Sequence, residues 1–116
     1  MPAIAFALPI LPGQGDAVRS ISEEVSSGSL RSAYEGSRRS LGITQEKVWL
    51  QQTPIGETII IYWETDDPQR VLREMADSQD QFDSQFKQLI ETSAPALNFS
   101  DERPLSNKLL FEWSAS

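Results

Sequence analysis

At 116 residues, 39% of them hydrophobic, the chain suits one domain with a modest core, because small domains bury a smaller share of their surface. Its formal charge of −7 argues against nucleic acid and anionic membrane as partners, since phosphate backbones are bound by clustered Lys and Arg. Cys and His are both missing, so a disulfide framework, a thiol nucleophile, a Cys-based zinc site and imidazole chemistry are excluded, and no haem or metal cofactor is expected.

Ala3 to Leu11 is a nearly continuous apolar run that ends at Pro12-Gly13, the pattern of a buried strand in which Ile4, Phe6, Leu8 and Ile10 alternate with Ala3, Ala5 and Ala7. Pro9 lacks an N–H and so points to an edge position or a bulge. No Lys or Arg precedes the run as it would in a signal peptide, and no run of about 18 apolar residues is present, so a cytoplasmic protein without a membrane span is expected. Asp16 can cap a helix whose apolar stripe is Val18, Ile21 and Val25, which Ser26-Ser27-Gly28 interrupts. A second helix is predicted from about Leu30 to Leu41, with Leu30, Ala33, Tyr34, Ser37 and Leu41 on one side and Gly42 as its C-terminal glycine. Its other side carries Arg31, Glu35, Arg38 and Arg39 at spacings that allow local ion pairs.

Val48 to Glu64 reads as a β-hairpin folded about Pro54-Ile55-Gly56. With Thr53 opposite Thr58, Leu50 falls opposite Ile61, Trp49 opposite Tyr62 and Val48 opposite Trp63. One face then collects Val48, Leu50, Ile59, Ile61 and Trp63, and the other Trp49, Gln51, Ile60, Tyr62 and Glu64. Asp66-Asp67-Pro68 is a capping acid followed by Pro at the first helical position, and the helix should run to about Ala76 with Val71, Leu72 and Met75 inward. After a break at residues 77–80, Asp80 caps a further helix patterned by Phe82, Phe86, Leu89 and Ile90. Residues 93–107 read as an irregular connection, and Lys108 to Trp113 as a final strand with Leu109, Phe111 and Trp113 on one face.

This order, strand, helical region, two strands, helical region, strand, is the split βαβ arrangement of an α+β, ferredoxin-like βαββαβ fold with a four-stranded antiparallel sheet. Helices cover only one side of such a sheet. The side bearing Trp49, Ile60 and Tyr62 would remain an exposed apolar patch, and a homodimer is the expected partner arrangement.

The element order, the Pro12-Gly13 stop, the Arg38-Arg39-Ser40-Leu41-Gly42-Ile43 junction, the Val48-Trp49-Leu50-Gln51-Gln52-Thr53-Pro54 hairpin, the Asp66-Asp67-Pro68 cap and the Phe82-Asp83…Phe86 helix together resemble the dimeric α/β-barrel superfamily. The resemblance covers most of residues 3–113 and is greatest to small bacterial members whose function is uncharacterised. It implies a single dimeric barrel domain over residues 1–116. The superfamily includes cofactor-independent monooxygenases, haem-degrading enzymes, lactone isomerases and stress-response proteins, and many of these rely on His. This chain has none, so those mechanisms do not carry over.

Trp49 and Tyr62 suit either an aromatic wall for a flat apolar ligand or packing in a dimer interface, and the second weighs more. Gln51 and Glu64 can orient a ligand by hydrogen bonds; Tyr62 and Glu64 are the candidate catalytic groups, a buried Glu64 serving as base, although solvation of Glu64 is the simpler reading. Glu35, Arg38 and Arg39 could hold an anion but are better read as a helix-surface charge network. Asp66 and Asp67 suggest capping rather than a metal. The expectation is a small-ligand-binding or stress-associated module taking a small apolar or aromatic ligand, the alternative being a cofactor-independent monooxygenase or isomerase acting on a small aromatic or polyketide-like substrate.

Overall fold

The computed structural model describes residues 2–102 and 104–115. Strand β1 spans Ala3–Pro9, helix α1 Gly15–Ser27, α2 Arg31–Leu41, β2 Gln45–Thr53, β3 Gly56–Glu64, α3 Pro68–Asp77 and α4 Gln81–Ser93. The three strands form an antiparallel sheet in the order β1-β3-β2. β1 alternates as its sequence does, with Ile4, Phe6 and Leu8 buried and the alanines exposed. It is an edge strand, which accommodates Pro9.

Local signals set most element ends. Gly42 closes α2 at φ 76°, a left-handed conformation that favours glycine, with its N–H bonded to the carbonyls of Arg38 and Arg39. Asp67 caps α3 by accepting from the Arg70 N–H at 3.1 Å, and Asp80 caps α4 by accepting from the Asp83 N–H at 3.1 Å. α1 differs from expectation: it begins at Gly15, and the residue before it, Gln14, makes no side-chain cap.

The hairpin turns on two residues, Pro54 and Ile55. Thr53 pairs with Gly56, Leu50 with Ile59, Trp49 with Ile60 and Val48 with Ile61. The expected pairing is therefore corrected by two places on β3. Gly56 permits the tighter turn because it takes φ 147°, and Thr53 Oγ1 ties it by accepting from the Ile55 N–H and donating to the Gly56 carbonyl. A shift of two preserves the faces. Ile59, Ile61 and Trp63 are buried and share one core with Val18, Leu41, Val71, Leu72, Met75, Phe82, Phe86 and Ile90 from the four helices. At about 25 cal/mol per Å², each such aliphatic side chain contributes roughly 1.5 to 3 kcal/mol.

Two expectations about the C-terminal region are corrected. Among the described residues the sheet has three strands where four are expected, because Lys108 to Trp113 lies outside it, with Leu109, Leu110, Phe111 and Trp113 each 73% to 85% exposed. The Asn107 side chain holds the β1 edge that this segment would otherwise join, accepting from the Ala5 N–H at 2.7 Å and donating to the Ala5 carbonyl at 2.8 Å. The segment after α4, read as a mere connection, instead supplies core: Ala94, Leu97 and Phe99 are buried, and the Phe99 ring sits 6.0 Å from that of Phe86. No helix among the described residues is long and apolar enough to cross a membrane.

Candidate functional site

The four residues Trp49, Gln51, Tyr62 and Glu64 do share one face, the side of the sheet turned away from the helices. Trp49 is half exposed, Gln51 exposed, and Tyr62 and Glu64 partly covered. The Tyr62 hydroxyl donates to Glu64 Oε1 at 2.9 Å. That bond holds the phenol above its ordinary pKa, so Tyr62 stays protonated and is not a ready base.

On the other side of the sheet, between α1, α2, α4 and the strands β2 and β3, lies a cavity of about 250 Å³. Its walls are mostly apolar, from Val18, Ile21 and Val25 of α1, Ile59 and Ile61 of β3, and Leu89 of α4, with Ser22, Ser26 and Arg31 also lining it. It exists because the helices cover β3 fully but β2 only in part: Val48, on the helix side of β2, is 47% exposed and stands at the mouth.

One end of the cavity is polar. Tyr34, Arg38 and Glu46 line it. Arg38 lies one helical turn beyond Tyr34 and one before Leu41, and this stripe carries it inward, correcting its placement on a surface network with Glu35 and Arg39. Those two stay outside, where Glu35 accepts from Arg31 at 2.8 Å and from Arg39 at 3.2 Å. Glu46 is an even-numbered residue of β2, like Val48 and Leu50, so the pleat directs it to the helix side.

The buried group forms a connected network. Glu46 Oε1 accepts from Arg38 Nε at 2.8 Å and from the Tyr34 hydroxyl at 2.7 Å, and Glu46 Oε2 accepts from Trp63 Nε1 at 2.6 Å. Arg38 Nη1 donates to Ser37 Oγ at 3.0 Å and lies 3.7 Å from Asp83, whose carboxylate also accepts from the hydroxyls of Ser37 and Ser78. Four rings surround the guanidinium, those of Tyr34, Trp63, Phe82 and Phe86, with centroids 5.0 to 5.7 Å from its carbon. Each face contact of this kind stabilises a desolvated cation by about 0.5 to 2 kcal/mol. Burial first, and the neighbouring Glu46 second, push the Tyr34 hydroxyl far above its ordinary pKa.

Chemically this end of the cavity is a fixed set of hydrogen-bonding groups. Glu46 is engaged by three close donors and is no free base. Arg38 Nη2 reaches Glu46 only at 3.5 Å, which leaves it N–H capacity, and the Tyr34 oxygen retains an acceptor lone pair. The 34, 38, 41 spacing and the parity of Glu46 are the available signals for this network, and the charge of the residues concerned overrides both.

Asp66 pairs with Arg70 at 3.0 Å while Asp67 caps α3, and among the described residues no three acidic side chains gather to hold a metal. Compared with protein-family models, with curated proteins and with solved structures, the chain matches none of them.

Proposed function

We propose that the protein is a small-ligand-binding module of dimeric α/β-barrel type, and that its ligand occupies the cavity beneath the helices with one polar group at the Tyr34–Arg38–Glu46 end. The observation that carries this is the joining of an apolar cavity to a buried, pre-formed polar network, the combination that distinguishes ligand sites from ordinary core. About 250 Å³ falls just under the range typical of drug-sized ligands, so a ligand of one or two rings bearing a hydroxyl or carbonyl is the fitting class. Binding is favoured over catalysis because both phenols are held protonated and Glu46 is saturated with donors. In the proposed dimer the outer face, with Trp49, Ile60 and Tyr62, serves as the interface, Gln51 and Glu64 lie at its polar margin, and the C-terminal segment of each chain adds a fourth strand to the sheet of the other.

A two-ring fluorescent phenol, 2-naphthol, tests the site. Saturable binding of one molecule per chain is expected, lost when Ile21→Trp fills the cavity and kept in Trp49→Ala. Binding that survives Ile21→Trp and disappears in Trp49→Ala would move the site to the outer face.

A further inference from the structure

We infer that residues 108–115 form an exchange arm seated on the open edge of β2 in a second copy of this chain. The inference rests on the dimer proposed above and names what completes it. Leu109, Phe111 and Trp113, 73%, 85% and 81% exposed, alternate with Leu110 and Glu112 in a strand pattern whose apolar side is left largely open to solvent. Exposed apolar surface of this extent on a short segment marks an interaction element.

The arm leaves its own sheet for a stated reason. Asn107 takes the centre of the β1 edge: Ala5 N–H donates to its Oδ1 at 2.7 Å and its Nδ2 donates to the Ala5 carbonyl at 2.8 Å. Pro9 offers no N–H further along. With that edge blocked, the chain peels away at residue 108.

The edge of β2 is unblocked. Ile10 N–H bonds to the Glu57 carbonyl at 2.9 Å, so the odd residues of β3 face β1 and its even residues face β2. By the same alternation the amides of Glu46, Val48, Leu50 and Gln52 point outward, unpaired within the sheet, on a nine-residue strand without proline. An arm laid here with Leu109, Phe111 and Trp113 toward the helices covers Val48 and the mouth of the cavity. Its other side then sets Glu112 beside Lys47, which makes no ion pair among the described residues. The partner thus contributes a wall to the ligand site.

Reach decides between self and partner. From Asn107 at the β1 edge, the chain's own β2 edge lies across the whole sheet, and a crossing would consume the arm. A twofold axis parallel to the strands places β1 of one copy over β2 of the other at a sheet separation of about 10 Å, which three extended residues span. Arm and seat belong to the same chain, so the exchange is reciprocal and closed.

The chain has no Cys, so engineered thiols report without background. Val48→Cys protein is mixed under reducing conditions with Leu109→Cys, Phe111→Cys or Trp113→Cys protein, then oxidised, with Leu110→Cys as the opposite-face control. One of the three arm variants is expected to give a disulfide-linked heterodimer of about 26 kDa, twice the 13.0 kDa chain, in most molecules. No excess over the Leu110→Cys control, or an intrachain disulfide in a Val48→Cys/Phe111→Cys double variant, overturns the exchange. Light scattering on the same samples separates the two claims: a species of about 26 kDa without the cross-link leaves the dimer standing, whereas one of 13.0 kDa removes both.

Discussion

Arg38 and Glu46 meet at 2.8 Å with side chains only 7% and 4% exposed, joining α2 to β2 across the Gly42 turn beneath a cage of four aromatic rings. Taking both charges out of water costs several kcal/mol, which the pair and its added hydrogen bonds offset only while both partners remain. Arg38→Ala should therefore destabilise the fold by about 3 to 5 kcal/mol, because it leaves Glu46 buried without its cation. The double variant Arg38→Met/Glu46→Leu should recover part of that loss. Urea denaturation of the single and double variants checks it, and a double variant less stable than Arg38→Ala would show that the network holds the core together rather than shaping a site.

Ile61 is wholly buried at the centre of β3, opposite Val48 on β2 and Phe6 on β1. Ile61→Ala should cost about 2 to 5 kcal/mol through lost transfer energy and the cavity it leaves. The same change at Ile60, on the outer face, should cost a single chain less. Chemical denaturation of the two variants compares the faces directly.

Tyr34 supplies a pH dependence whose sign follows from its raised pKa. The unfolded chain releases this proton near the ordinary value of 10.0, while the folded chain keeps it, so stability holds at neutral pH and falls as pH rises above 10. Of the two tyrosines, Tyr34 should be the one that ionises only as the fold is lost. Absorbance at 295 nm through an alkaline titration should therefore show about half of the phenolate change delayed to the unfolding transition, and Tyr34→Phe should remove that half.

Trp49→Glu places a charge on the exposed outer face without touching the buried core, Trp49 being 50% exposed. If that face is the dimer interface, the interface should bury more than about 1,000 Å² and Trp49→Glu should convert the dimer to a 13.0 kDa monomer by light scattering, with the far-ultraviolet circular dichroism unchanged. A dimer that persists would place the contact elsewhere.

The fold was legible in the sequence where a single local rule acted unopposed. The Asp67-Pro68 and Asp80 caps, the Gly42 terminus and the alternation of Ile4, Phe6 and Leu8 each correspond to what forms. The hairpin register did not, because periodicity fixes only the parity of a strand and the turn fixes its offset. Lys108 to Trp113 has the composition of a strand, but pairing depends on a free edge, and Asn107 closes the nearest one. Leu97 and Phe99 fill the core from an irregular segment, where no period exists to announce them. As for the site, the outer-face residues were placed on their shared face, whereas the buried network was missed because Arg38 and Glu46 carry charges that ordinarily face water.

The central claim is that ligand enters beneath the helices. Backbone amide shifts recorded on ¹⁵N-labelled protein during titration with a one- or two-ring phenol such as 2-naphthol locate the site most directly. The account predicts saturable shifts concentrated at Val18, Ile21, Tyr34, Arg38, Glu46 and Val48, which border the cavity, and little change at Trp49, Ile60 and Tyr62. Shifts centred on those three outer-face residues, with Ile21 and Tyr34 unmoved, would contradict it.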